Sequence, residues 1–143
     1  MGKFSHNKVI RGTFGRVWVN GELMANVKSF EAKMTIDYED LDINGDFAQK
    51  KRYMGYAIAG TMTLHKFDSA ILKLYHSAVI SGELPEIKIV ASLSDPQSDG
   101  TERVALHDVY FDEITLNKFE NRTVLEEEVP FTAGYSEPLD MIE

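Results

Sequence analysis

Apolar and polar residues alternate along most of this chain, and the longest clean run begins at Phe30. Phe30, Ala32, Met34, Ile36 and Tyr38 fall on one side of it, and Glu31, Lys33, Thr35, Asp37 and Glu39 on the other. A period of two predicts a strand with one covered face. Upstream, Leu23, Ala25 and Val27 carry the opposite parity. A bulge or corner between Val27 and Phe30 would reconcile the two, because one extra residue swaps the faces of a strand. Before them, GRVWVNGELMANV holds Asn20-Gly21 between two β-prone runs, a strong signal for a tight hairpin.

A second long strand is predicted over YMGYAIAGTMTLHKF. Tyr56, Ile58, Met62 and Leu64 share one face, and Ala57, Ala59, Thr61, Thr63 and His65 the other. Between the two long strands lies the polar connection Asp40 to Arg52. The stretch DSAILKLYHSAVISG reads as the helix, capped by Asp68 or Ser69 and ended by Gly82. Phe67, Ile71, Leu74, Tyr75, Ala78 and Val79 make its apolar stripe, the face expected to cover the sheet. After Pro85, EIKIVASL, RVALHDVYF, EITLNKF and RTVLEEEVPFTAG read as further strands. The expected fold is mainly β with one α-helix, an antiparallel sandwich or barrel with a long extended hairpin and loop. One domain over residues 1–143 is expected, with residues 1–13 and 136–143 as extended arms.

Composition narrows the classes. Of 143 residues, 23 are acidic and 15 basic, a formal charge of −8 that disfavours holding nucleic acid through its phosphates. Without cysteine the chain has neither disulfides nor thiolate metal sites. No apolar run approaches the roughly 20 residues of a membrane span, so no membrane anchor is expected.

DLDINGD tests the metal chemistry. Asp40, Asp42, Asn44 and Gly45 match positions one, three, five and six of an EF-hand loop. Position twelve needs a bidentate glutamate, and Lys51 stands there between Lys50 and Arg52. Its flanks read as strands rather than helices, so a polar loop is the better reading and no metal or other cofactor is expected. His6, His65, His76 and His107 occur singly, without zinc spacing. No nucleophile elbow, phosphate loop or dinucleotide fingerprint appears, and no catalytic residue is expected. The run Glu126-Glu127-Glu128 reads as a solvated or partner-facing piece of strand.

The order of these pieces resembles the tail tube proteins of contractile phage tails, similar in fold to the Hcp protein of type VI secretion. The resemblance spans nearly the whole chain. It is carried by GRVWVNGELMANVKSFEAKM, INGDFAQKKRYMGYAIAGTMTLHKFDSAIL, LSDPQSDGTERVALHDVYFDEITL and EEEVPFTAGYSEPLDMI. It implies homohexameric rings, stacked into a tube whose strands surround a lumen. It also implies a tail sheath protein, a tape measure protein and a baseplate or tail initiator as partners. DNA would pass through without specific binding, and the protein would be made in the host cytoplasm and end in a virion or phage-like tail. Under that resemblance, Glu31, Lys33, Thr35, Asp37, Ala57, Ala59, Thr61 and Thr63 line the lumen. The opposite faces, Phe30 to Tyr38 and Tyr56 to Leu64, pack under the helix. Asp40, Asp42, Asn44, Asp46, Lys50, Lys51 and Arg52 form an inter-ring loop whose charges pair with the next ring.

Two other classes stay open in the sequence: a secreted tube of the Hcp kind, and a monomeric small-ligand β-barrel. The first is separated by genetic context. The second predicts a stable monomer with an enclosed pocket.

Overall fold

Asn20 and Gly21 both take positive φ, 50° and 86°, and turn β1 (Gly15–Val19) back into β2 (Glu22–Leu23). Val19 lies across from Glu22, so this is the two-residue hairpin that the Asn-Gly pair predicts. The computed structural model describes residues 15–42, 44, 45, 47–65, 70–94 and 101–140, Ala70 and Ser94 by backbone alone. The expected arm 1–13, the helix cap at 68–69 and residues 95–100 lie outside them.

The remaining elements are β3 (Val27–Leu41), β4 (Lys50–His65), α1 (Ala70–Ser81), β5 (Ile89–Ser94), β6 (Thr101–Phe111) and β7 (Glu126–Asp140). Among the described residues, seven antiparallel strands form one sheet in the order β2-β1-β5-β6-β7-β4-β3. β1 also touches β3, so the two ends of the sheet approach each other.

The predicted face swap is a bulge. Val27 pairs with Leu64 and Ser29 with Thr63, leaving Lys28 as the extra residue. Val27 and Phe30 therefore both reach the core despite their opposite parity. Asn26 and His65 close the bulge with two hydrogen bonds of 2.8 Å: His65 N–H donates to the Asn26 carbonyl, and Asn26 Nδ2 to the His65 carbonyl.

The core sits under one face of the sheet. Met62, Ile87, Ile89, Val109, Val129 and Phe131 are fully buried there, and α1 adds Ile71 and Tyr75. Tyr75 meets the edge of Phe111 with ring centroids 5.1 Å apart, and burial pushes its phenol pKa up. The helix ends as expected, with Gly82 N–H donating to the Ala78 carbonyl at 2.9 Å.

Four expectations need correction. EIKIVASL becomes a strand only from Ile89, because Asn20 claims the segment before it. The Lys88 N–H donates to Asn20 Oδ1 at 2.8 Å, and Asn20 N–H donates to the Lys88 carbonyl at 2.9 Å. EITLNKF is not a strand: β6 already has β5 and β7 on its two edges, so residues 113–119 have no ladder to join there. Residues 136–140 are not a free arm, since β7 runs on to Asp140 and pairs Ser136 with Leu106 and Asp140 with Arg103. Glu127 is not solvated either. It shares the face of Val129, Phe131 and Ala133 and is 5% exposed.

Candidate functional site

Strand pairing brings the eight candidate lumen residues onto one face. Across the β3–β4 ladder, Glu31 lies opposite Thr61, Lys33 opposite Ala59, and Thr35 opposite Ala57. Asp37 and Thr63 occupy the same side, opposite Gly55 and Ser29. This face points away from the core, because the residues of alternate parity, Ile58, Met62 and Leu64, are the buried ones. Lys33, the cation that sits awkwardly among these residues, is held by its neighbour: its Nζ lies 2.9 Å from Glu31 Oε1.

The same face continues onto β7, which sequence reasoning left out. Thr61 lies across from Pro130, Ala59 across from Thr132, and Thr63 across from Glu128. Thr132 Oγ1 donates to the Asp112 carboxylate at 3.0 Å. The alternation of Glu128, Pro130 and Thr132 with Val129, Phe131 and Ala133 carried the signal. At the bulge, Lys28 Nζ reaches Glu126 Oε1 at 2.6 Å. That hydrogen bond holds the Glu126 carboxyl below its ordinary pKa.

Pairing between β4 and β7 ends at Ile58 opposite Ala133, while β3 and β4 stay paired out to Leu41 and Lys50. The outer half of the long hairpin is therefore, among the described residues, a two-stranded ribbon, an arm with open edges on both sides. A second bulge lies within it. Asp37 pairs with Gly55 and Tyr38 with Tyr53, so Met54 is the extra residue, and Gly55 takes φ 141°. The bulge keeps Tyr53 on the same side as Tyr38 and Tyr56.

On that side the expectation of a covered face fails. Phe30, Ile58, Met62 and Leu64 are covered as expected, whereas Met34, Ile36, Tyr38 and Tyr56 are exposed. The cover thins out where β7 parts from β4, and the alternation continues past it. Of the helix stripe, Ile71 and Tyr75 are buried, Leu74 packs against the core and Ala78 is partly covered. Val79 is exposed, and Phe67 lies outside the described residues.

The inter-ring loop is shorter than its sequence span. Asp40 belongs to β3, and Lys50, Lys51 and Arg52 to β4, so the connection proper is residues 42–49. Glu39 lies across from Arg52 and Asp40 across from Lys51. Opposite charges on facing rungs favour the ribbon itself. Lys51 Nζ also lies 5.8 Å from the centroid of the Tyr38 ring. The charges expected to wait for another ring thus already face one another within the arm. Asp42 and Asn44 stay in the connection, and Asp46 lies outside the described residues. With Lys51 opposite Asp40, the first acid of the calcium-like motif faces a cation.

Residues 2–140 match a family model described as phage tail tube protein. The chain is 37% identical over 125 residues to the phage-like element PBSX protein XkdM of Bacillus subtilis (strain 168), covering 86% of this chain and 85% of the relative. YqbM of the same strain is 36% identical over the same share of each chain. Among solved structures, the anti-feeding prophage tube-terminating cap has a TM-score of 0.78 at 13% identity, covering 98% of this chain and 97% of that one. A chain of the extended sheath-tube complex of the extracellular contractile injection system PVC has a TM-score of 0.72 at 12% identity, covering 97% and 100%.

Proposed function

This chain belongs to the phage tail tube protein family, a structural subunit of a tail tube, and from that premise we propose how it assembles. Six copies close into a ring, rings stack into a tube, and the face carrying Glu31, Lys33, Thr35, Asp37, Ala57, Ala59, Thr61 and Thr63 lines the lumen. The observation that carries this reading is the arm. Its strands lie beyond the domain's own sheet, with open edges and an exposed apolar side. Open edges are a liability in a monomer and become contacts in an assembly. Strand addition between copies satisfies their backbone groups, as in other β-augmented complexes.

The wall face suits passage rather than capture. Threonines and alanines dominate it, its acids Asp37 and Glu128 repel phosphates, and Glu31 offsets the charge of Lys33. The expected partners follow from the family: sheath outside, tape measure within, and a baseplate or tail initiator at the end. Some structural neighbours come from a sheath-tube complex and a baseplate of contractile injection systems, and others from a virion and a tail of gene transfer agent particles. The protein's place is accordingly a phage or phage-like tail particle, after synthesis in the host cytoplasm. Its part there is mechanical, with no catalytic step.

Electron microscopy of the purified protein at high concentration, with a tail initiator added, tests the proposal. Sixfold rings or stacked tubes are expected. A protein that stays monomeric under those conditions contradicts it.

A further inference from the structure

The two ends of the sheet order carry an exposed ring at one and a half-buried hollow at the other. At the β3–β4 end, the connection 42–49 closes the arm, and Phe47 there is fully exposed. Asp42, also exposed, opens the same connection. The ring of Phe47 is covered by nothing of its own domain.

At the β1–β2 end, on the side of the sheet away from the core, Trp18 lies across from Val90 and Val90 across from Ala105. Trp18, Val90, Gly21, Lys88 and Arg103 line a hollow of about 230 Å³. Arg16 joins the same side two residues from Trp18, across from Ser92, which faces Arg103. Three cations thus gather around an aromatic wall on a chain whose formal charge is −8. Two of them are already engaged at the hollow's edge: Arg103 Nε lies 3.1 Å from Asp140 Oδ2, and Arg16 Nη1 donates to the Gly15 carbonyl at 3.0 Å.

We propose that Phe47 of one copy seats in the Trp18–Val90 hollow of the next, with Asp42 beside the cations at its rim. A cavity of about 150 Å³ already takes up benzene, so the hollow has room for a phenyl ring. Aromatic anchors in pockets dominate interface energetics, and the acid opposite the cations sets orientation and partner choice. Donor and acceptor are different surfaces of one chain, so each docked copy still offers the unused one. Such a heterologous contact propagates, as a stacked tube requires. The inference rests on the reading of the chain as a self-assembling tube subunit.

Because the chain has no cysteine, engineered pairs report the contact directly. Ala48→Cys sits beside the anchor and leaves Phe47 in place. Leu23→Cys lies across from Trp18, beside the hollow, at an exposed position. Mild oxidation of assembled Ala48→Cys/Leu23→Cys protein should yield a ladder of covalent multimers, and mixed single variants only dimers. Phe47→Ala and Trp18→Ala should each lower the association constant at least about tenfold, the scale of an interface anchor. Asp42→Lys and Lys88→Glu should each weaken assembly, and together restore most of it. Tubes that form normally, yet cross-link this pair no better than an Ala48→Cys/Leu116→Cys control, overturn the inference and leave the tube reading standing. So does normal assembly by folded Phe47→Ala protein. A parent that never assembles overturns both.

Discussion

Phe30 stacks on Phe131 with ring centroids 5.6 Å apart and planes inclined by 21°, and the Phe131 ring lies over Gly60. Gly60 lies on β4 across from Phe131 on one side and Ala32 on the other. A Cβ there would come within 2.7 Å of the Phe131 ring and strike the Glu31 carbonyl. The stack closes the core just where the arm leaves it, so the bare backbone of Gly60 ties the lumen-facing strands to the domain.

Gly60→Ala should therefore destabilise the monomer by about 2 kcal/mol, as overpacking in a filled core does. The backbone carbonyl cannot move aside without disturbing the β3–β4 ladder. Denaturant unfolding of dilute protein measures the change. An unaltered midpoint would mean that the strands separate here at no cost.

Asn20→Ala should cost about 1–2 kcal/mol, because two demands fall on the residue. It holds φ at 50° in the turn, and its Oδ1 accepts from the Lys88 N–H. Asn20→Gly separates the two, keeping the turn geometry and losing the side-chain bond. Thermal melts of both variants should rank wild type above each. A Gly variant as stable as wild type would remove the Lys88 bond from the account.

The Lys28–Glu126 pair predicts a pH dependence with a definite sign. The folded state holds the Glu126 carboxyl below its ordinary pKa, chiefly through the hydrogen bond from Lys28. Its stabilisation is complete above the unfolded carboxylate pKa and is lost as the pH falls through the depressed folded value. Carbon-detected NMR titration should find Glu126 titrating below a free glutamate, and Lys28→Met should return it upward. A Glu126 carboxyl that titrates identically in both proteins would sever the pair.

The facing charges of the arm make a separate prediction. Lys51→Glu with Arg52→Glu sets like charges across from Asp40 and Glu39. The melting transition should change little, since these residues lie beyond the buried cluster and exposed substitutions usually stay within about 0.5 kcal/mol. Amide exchange over residues 38–52 should accelerate, and tube elongation should fail with it. Adding Glu39→Lys and Asp40→Lys should restore slow exchange. If exchange stays slow in the double variant, the rungs do not hold the ribbon.

Much of the local structure was determined by the sequence alone. Asn20-Gly21 specified its hairpin, the parity change around Val27 specified a bulge or corner, and Gly82 specified the end of the helix. Alternation sorted the two long strands into a polar and an apolar face, because side chains on a strand point to opposite sides whatever pairs with it. Order and spacing of the pieces sufficed for the family. Only the tertiary structure decided what lies opposite what, and where cover ends. That Ile36 and Tyr38 emerge from the core depends on β7 parting from β4 after Ala133, far away in the chain. Glu127 is buried because its neighbours in β7 are core residues, and EITLNKF stays out of the sheet because both edges of β6 are occupied. Asp40 and Lys51 meet because the hairpin register, with its Met54 bulge, brings them level. Partner and register are set by contacts distant in sequence, and a local pattern cannot carry them.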